Sequence, residues 1–99
     1  MAKASRHPDK RPSHPGEIIA MGLEDTGIKK SDLAAALGIS RNTLYKILDA
    51  RQGVTAEMAV RIAAVWGGSA EMWLGVQQEY DLWHARQTVD VSKLQRIAA

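Results

Sequence analysis

The chain has 99 residues, 45% of them hydrophobic, with a formal net charge of +2 and no cysteine. That length holds one domain with a real core and is too short for two, while the apolar fraction is too rich for disorder. The missing cysteine excludes disulfides, cysteine-ligated zinc and thiol catalysis, and suits a reducing cytoplasm.

No apolar run approaches the roughly 18 residues that a membrane helix needs. The first residues carry no apolar stretch of the secretory kind, so the expectation is a cytoplasmic protein with no membrane partner. Residues 1–14 contain Lys3, Arg6, Lys10 and Arg11 together with Pro8 and Pro12, and they read as a flexible basic tail. His7 and His14 fall within it. Pro15 suits the first turn of a helix, where its missing N–H costs nothing. Ile18, Ile19, Met21 and Leu23 supply that helix's apolar side, and Gly27 stops it. A second helix runs from about Lys30 to Leu37 and ends at Gly38; a third runs from Ser40 to about Leu48. Thr55 caps a fourth, with Glu57 facing the positive end of its dipole. Its stripe of Met58, Ala59, Ile62, Ala63 and Trp66 is spaced as a helix and not as a strand. Gly67 and Gly68 end it, and Ser69 caps a fifth helix. Nothing alternates with a period of two, so the expected fold is all-α with five helices. Residues 15–86 form the domain and residues 87–99 an extension.

The charge is unevenly distributed. Residues 1–14 carry +3, 15–28 carry −3, 29–51 carry +3, 52–85 carry −3 and 86–99 carry +2. A localised basic window on a near-neutral domain is what attraction to phosphate requires.

That window contains the most informative segment, residues 30–48. Two helices joined by a turn of about three residues must cross closely, and Ala34 has the small side chain the crossing needs. Gly38 can take the left-handed conformation that ends the first of them. Ile39 is apolar inside the turn, and Ser40 can cap the next helix with its hydroxyl. Leu33, Leu37, Leu44, Ile47 and Leu48 make the inner faces, leaving Arg41, Asn42, Tyr45, Lys46 and Asp49 outside. This is the pattern of a DNA-reading helix-turn-helix. The bland alternative is a helical hairpin whose outer face is merely soluble.

The segment resembles the phage Cro/repressor class of helix-turn-helix proteins, with a lambda-repressor-like fold. The wider span resembles HigA antitoxins through His14-Pro-Gly-Glu-Ile, Gly53-Val-Thr-Ala-Glu-Met-Ala, Trp73-Leu-Gly-Val-Gln and Tyr80-Asp-Leu-Trp-His-Ala-Arg86. The resemblance implies a dimer that neutralises a cognate ribonuclease-type toxin and represses its own operon. It places Ser40, Arg41, Asn42, Thr43 and Lys46 where relatives touch DNA, and Lys30 where many carry a phosphate-contacting Gln. In two places the chain departs from this pattern. Lys29 stands where a Ser-type cap is usual, so a cap at Ser31 and a shorter second helix are expected. Ala50 stands where a Gly commonly closes the recognition helix, which points to Asp49 as the left-handed residue.

The major groove admits an α-helix and distinguishes all four base pairs. Arg41 can bond bidentately to guanine and Asn42 to adenine, with phosphate contact the alternative for each. Tyr45 and Lys46 lie one turn along, and Lys30 and Arg51 flank the helix, where they would hold the backbone. One such module binds weakly, so a homodimer with recognition helices about 34 Å apart on operator DNA is expected. Trp73, Val76, Tyr80 and Trp83 form a seam of large side chains on the fifth helix, and Gly75 leaves room for a partner backbone beside it. They are the expected dimer interface, although part of the seam must also pack on the fourth helix, with Trp73 the first candidate.

Nothing points to catalysis, a metal or a cofactor. His7, His14 and His84 lack metal-ligand spacing, and neither a glycine-rich phosphate loop nor a nucleophile elbow is present. The remaining alternatives are a stand-alone phage-type repressor and a protein-interaction module without DNA binding.

Overall fold

The computed structural model describes residues 10–98. Five α-helices follow one another: α1 (Pro15–Thr26), α2 (Lys30–Leu37), α3 (Arg41–Leu48), α4 (Ala56–Trp66) and α5 (Ala70–Thr88), with a 3₁₀ turn at Val91–Lys93. No strand occurs among the described residues.

Each helix starts where a side chain or the local backbone can satisfy its first N–H groups. Ser40, Thr55 and Ser69 accept hydrogen bonds from the backbone N–H of Thr43, Met58 and Met72 at 3.0, 3.2 and 3.0 Å. α2 starts without a side-chain cap: Lys29 makes no such bond, yet the helix begins at Lys30 and runs full length. The expected shortening at Ser31 does not occur. Burial of Leu33, Ala34 and Leu37 holds the short helix in register from its first turn.

The core joins all five helices: Ile19 and Leu23, Leu33 and Leu37, Leu44 and Ile47, Ile62 and Trp73, with Val54 from the loop between α3 and α4. In α1 the inward stripe is narrower than its composition suggests. Ile19 and Leu23 are one turn apart and buried, whereas Ile18 and Met21 lie off that stripe and stay exposed. α1 also comes very close to α3. A Cβ added at Gly16 would sit 1.8 Å from the carbonyl oxygen of Ile47, so only glycine fits there. The N-terminus of α1 is thereby wedged against the C-terminal end of α3.

Candidate nucleic-acid interface

Gly38 ends α2 with φ +73°. The N–H of Ile39 reaches the carbonyl of Ala34 at 3.1 Å, and that of Gly38 reaches Ala35 at 3.1 Å, a Schellman closure. Ala34 is buried beneath the crossing, as its size requires. A contact invisible in the local pattern completes the turn: Arg61 of α4 donates to the carbonyl of Leu37 at 2.8 Å and to Glu57 at 3.1 Å. A cation at the end of α2 meets the negative end of its dipole.

α3 ends in the same closure. The N–H of Arg51 bonds the carbonyl of Lys46 at 2.8 Å, and that of Ala50 bonds Ile47 at 3.0 Å. The left-handed residue is Ala50, at φ +60°, and not Asp49, which stays at φ −88°. The Schellman geometry demands the left-handed conformation one position beyond the helix cap, whatever residue stands there. Asp49 faces Arg51 instead, at 3.4 Å across the exposed surface.

With one side of α3 in the core, the other is presented outward. Arg41, Asn42 and Tyr45 are exposed, and Lys46 and Thr43 are half-buried. Lys30, Asn42, Tyr45 and Arg51 come together around a concavity of about 260 Å³, which Leu48 and Asp49 also line. The Lys30 ammonium lies 5.5 Å from the centre of the Tyr45 ring, a cation–π arrangement joining the start of α2 to α3. Ser40 is committed to its cap and also donates to the Thr43 hydroxyl at 3.0 Å. Arg41 begins α3 and Lys46 lies in its last turn; neither lines the concavity.

The loop after α3 is clamped from behind. Gln77 of α5, 5% exposed, accepts from the Val54 N–H at 2.8 Å and donates to Asp81 at 2.9 Å. His14 is not a tail residue: it caps α1 and is 1% exposed. Its Nδ1 accepts from the Gly16 N–H at 2.9 Å, and the backbone of Gln52 lies beside the ring. Burial pushes the pKa of His14 below its ordinary value. Glu17 returns the capping box by accepting from the His14 N–H at 2.9 Å. Its hydrogen bond with Arg11, 2.8 Å away, holds its carboxyl below the usual range. The Arg11 guanidinium also stands 5.2 Å from the Tyr80 ring centre, and His14 meets that ring edge-on at 4.9 Å. Sequence reasoning missed Gln77, Arg61 and this role of His14. The spacing of His14 and Glu17 was a capping-box signal, obscured because His is an uncommon cap.

The expected seam on α5 divides. Trp73 is 3% exposed, and its indole N–H donates to the Gly67 carbonyl at 2.8 Å. It belongs to the core of the protomer and offers no surface to a second copy. Val76, Tyr80 and Trp83 are half-buried, and a Cβ added at Gly75 would meet nothing within 4 Å.

An all-α domain with a short turn between α2 and an outward-facing α3 defines the helix-turn-helix class of proteins. The helix-turn-helix family HTH_3 matches residues 20–73, and the chain belongs to that family. It is 39% identical to the antitoxin HigA-1 of Vibrio cholerae, over 82% of this chain and 77% of that one. Among solved structures, the antitoxin GraA in complex with its operator superposes with a TM-score of 0.81 at 34% identity, covering 96% of this chain and all (100%) of that one. The Pseudomonas aeruginosa antitoxin HigA with the higBA promoter gives a TM-score of 0.75 at 30% identity, covering 89% and 100%. These relatives are antitoxins and not enzymes. Among the described residues no helix is long and apolar enough to cross a membrane.

Proposed function

We propose that the chain is a DNA-binding antitoxin that represses its own operon as a homodimer and neutralises a cognate ribonuclease-type toxin. The observation that carries the DNA-binding half is the outer face of α3. Arg41, Asn42 and Tyr45 are exposed on a helix whose opposite side is core, with Lys30 and Arg51 beside them. Solved relatives bound to operator and promoter DNA support the same reading.

In this reading α3 enters the major groove. Arg41 and Asn42, in its first turn, reach guanine and adenine edges. Lys30, Lys46 and Arg51 hold phosphates on either side, and Tyr45 packs in the groove under Lys30. Thr43 keeps its own hydroxyl hydrogen for a phosphate, while Ser40 mainly fixes the helix start. Two protomers, joined through α5 at Val76, Tyr80 and Trp83, set two recognition helices about one DNA turn apart. The toxin-neutralising half rests on the named antitoxin relative.

Binding to DNA upstream of the gene should weaken steeply with salt, with a log–log slope of about −0.9 per phosphate neutralised. Salt-independent binding, or none, would overturn the DNA reading. Coexpression with a toxin from a neighbouring reading frame should restore growth. Repression without such rescue would leave a stand-alone repressor.

A further inference from the structure

Beyond α5 the chain carries apolar side chains that nothing in the protomer covers. Val91 and Leu94 are 67% and 68% exposed, and Ile97 is 95% exposed. They recur at every third residue. Val91 stands in the 3₁₀ turn and Leu94 follows it in an extended conformation (φ −96°, ψ 146°), so the segment leaves α5 with its apolar side chains in solvent. Lys93 and Arg96 lie between them in sequence. The segment is an exposed strap in which apolar side chains alternate with cations.

A matching surface lies elsewhere on the molecule. A groove of about 440 Å³ runs between α1 and the N-terminal half of α5, lined by Pro12, Ile18, Met72, Gly75 and Val76. Ile18 and Met72 are exposed, and Gly75 leaves open space for an approaching backbone. Glu79 is the charged residue that lines the groove, whereas residues 89–98 carry Lys93 and Arg96 against Asp90. Strap and groove are therefore complementary in both apolarity and charge.

They stand at opposite ends of α5, which at 19 residues is about 28 Å long. A twofold axis perpendicular to α5 near Tyr80 would set the two α5 helices antiparallel. In an isologous contact of this kind each residue meets its counterpart's complement, and the end of one α5 then lies over the start of the other. We propose that residues 89–98 of each protomer cross the twofold and lie in the Ile18–Met72–Gly75 groove of a second copy, a reciprocal exchange of straps that extends the α5 contact. This rests on the homodimer reading above and assigns it a second, separable part.

The absence of native cysteine allows a direct test. A Leu94→Cys chain is mixed with a size-tagged Met72→Cys chain and oxidised, so that only an intermolecular disulfide can join the two sizes. The mixed-size covalent dimer should form. In parallel, the triple Val91→Ser, Leu94→Ser, Ile97→Ser variant, whose changes are all on exposed positions, should keep wild-type helicity by circular dichroism. Sedimentation should show its self-association weakened by about tenfold or more, from three apolar side chains no longer buried. A dimer that gives no mixed-size link, with the triple variant associating like wild type, overturns the strap exchange and leaves the α5 homodimer standing. Loss of toxin binding with self-association intact overturns it likewise and makes the strap a heterologous docking segment. A wild-type chain that stays monomeric, on DNA and off it, overturns both.

Discussion

On the outer face of α3, Arg41, Asn42 and Tyr45 stand in solvent with few bonds to the rest of the chain. At the start of α1, beside the end of that helix, His14 is buried with its Nδ1 bonded to the Gly16 N–H. Both regions are polar, with opposite energetic meanings. An exposed donor exchanges one water for another and contributes little to stability. A buried one is satisfied only by a particular neighbour, so it enforces a geometry. The first region stays open to solvent because the second holds the scaffold. Through Gly16, Gln52 and Gln77, the junction sets the end of α3 and the loop that carries Arg51.

The comparison is broken most severely at Gly16. Gly16→Ala places a methyl group against the Ile47 carbonyl, and should cost more than about 3 kcal/mol because the clash is with backbone. Denaturant titration would read it. A loss within about 0.5 kcal/mol would mean that α1 can shift freely against α3.

His14→Ala should cost about 1–3 kcal/mol, from a lost cap and an unsatisfied backbone donor. It also carries a pH signature. Because burial lowers the folded pKa of His14, the unfolded chain takes up the proton first. The contribution is full at neutral pH and is lost as pH falls below about 6.5. Glu17, held down by Arg11, adds stability that persists above its ordinary pKa of about 4.3 and fades below it. Melting temperature should thus decline from pH about 7 to about 5, and His14→Gln should flatten that decline. An unchanged slope in the variant would reassign the effect to other groups.

On the α3 face the expectation reverses. Arg41→Ala and Asn42→Ala should leave stability within about 0.5 kcal/mol, while Arg41→Ala costs about 1–3 kcal/mol in specific operator binding. Should Arg41→Ala weaken all DNA sequences alike, Arg41 holds a phosphate and not a base. The smallest change is a gain. Ala50→Gly should stabilise the chain by about 1 kcal/mol by relieving a left-handed alanine, with operator affinity unaltered; a destabilised variant would show that unfolded-state entropy outweighs the strain.

Helix number, helix type and the two-helix crossing were legible because they depend on neighbours in the chain. Ser40, Thr55 and Ser69 cap within three residues, Gly38 stops α2 through its own backbone, and the α4 stripe repeats with the helical period. Arg41, Asn42 and Tyr45 could be assigned outward because Leu44, Ile47 and Leu48 occupy the inner side of the same short helix. The misread positions share a different cause. Ala50 is left-handed because a closure spanning Lys46 to Arg51 demands it, overriding the residue's own preference. Ile18 and Met21 are apolar yet exposed, since the stripe α1 buries is set by what packs against it.

The sequence by itself determined the class: local hydrogen bonding, capping and periodicity suffice for five helices and an outward polar face on α3. Only the tertiary structure decided the buried polar framework and the division of α5 into core and free surface. Arg61 meets Leu37, Gln77 meets Val54 and His14 meets Gln52 across 24, 23 and 38 positions of chain. A polar side chain carries no mark of such a partner. Trp73 and Val76 look alike in a stripe of large residues, but α4 and the Gly67 turn enclose the indole of Trp73 and leave Val76 half-buried. Burial is a property of what surrounds a residue, and neighbours that distant exist only once the chain has folded.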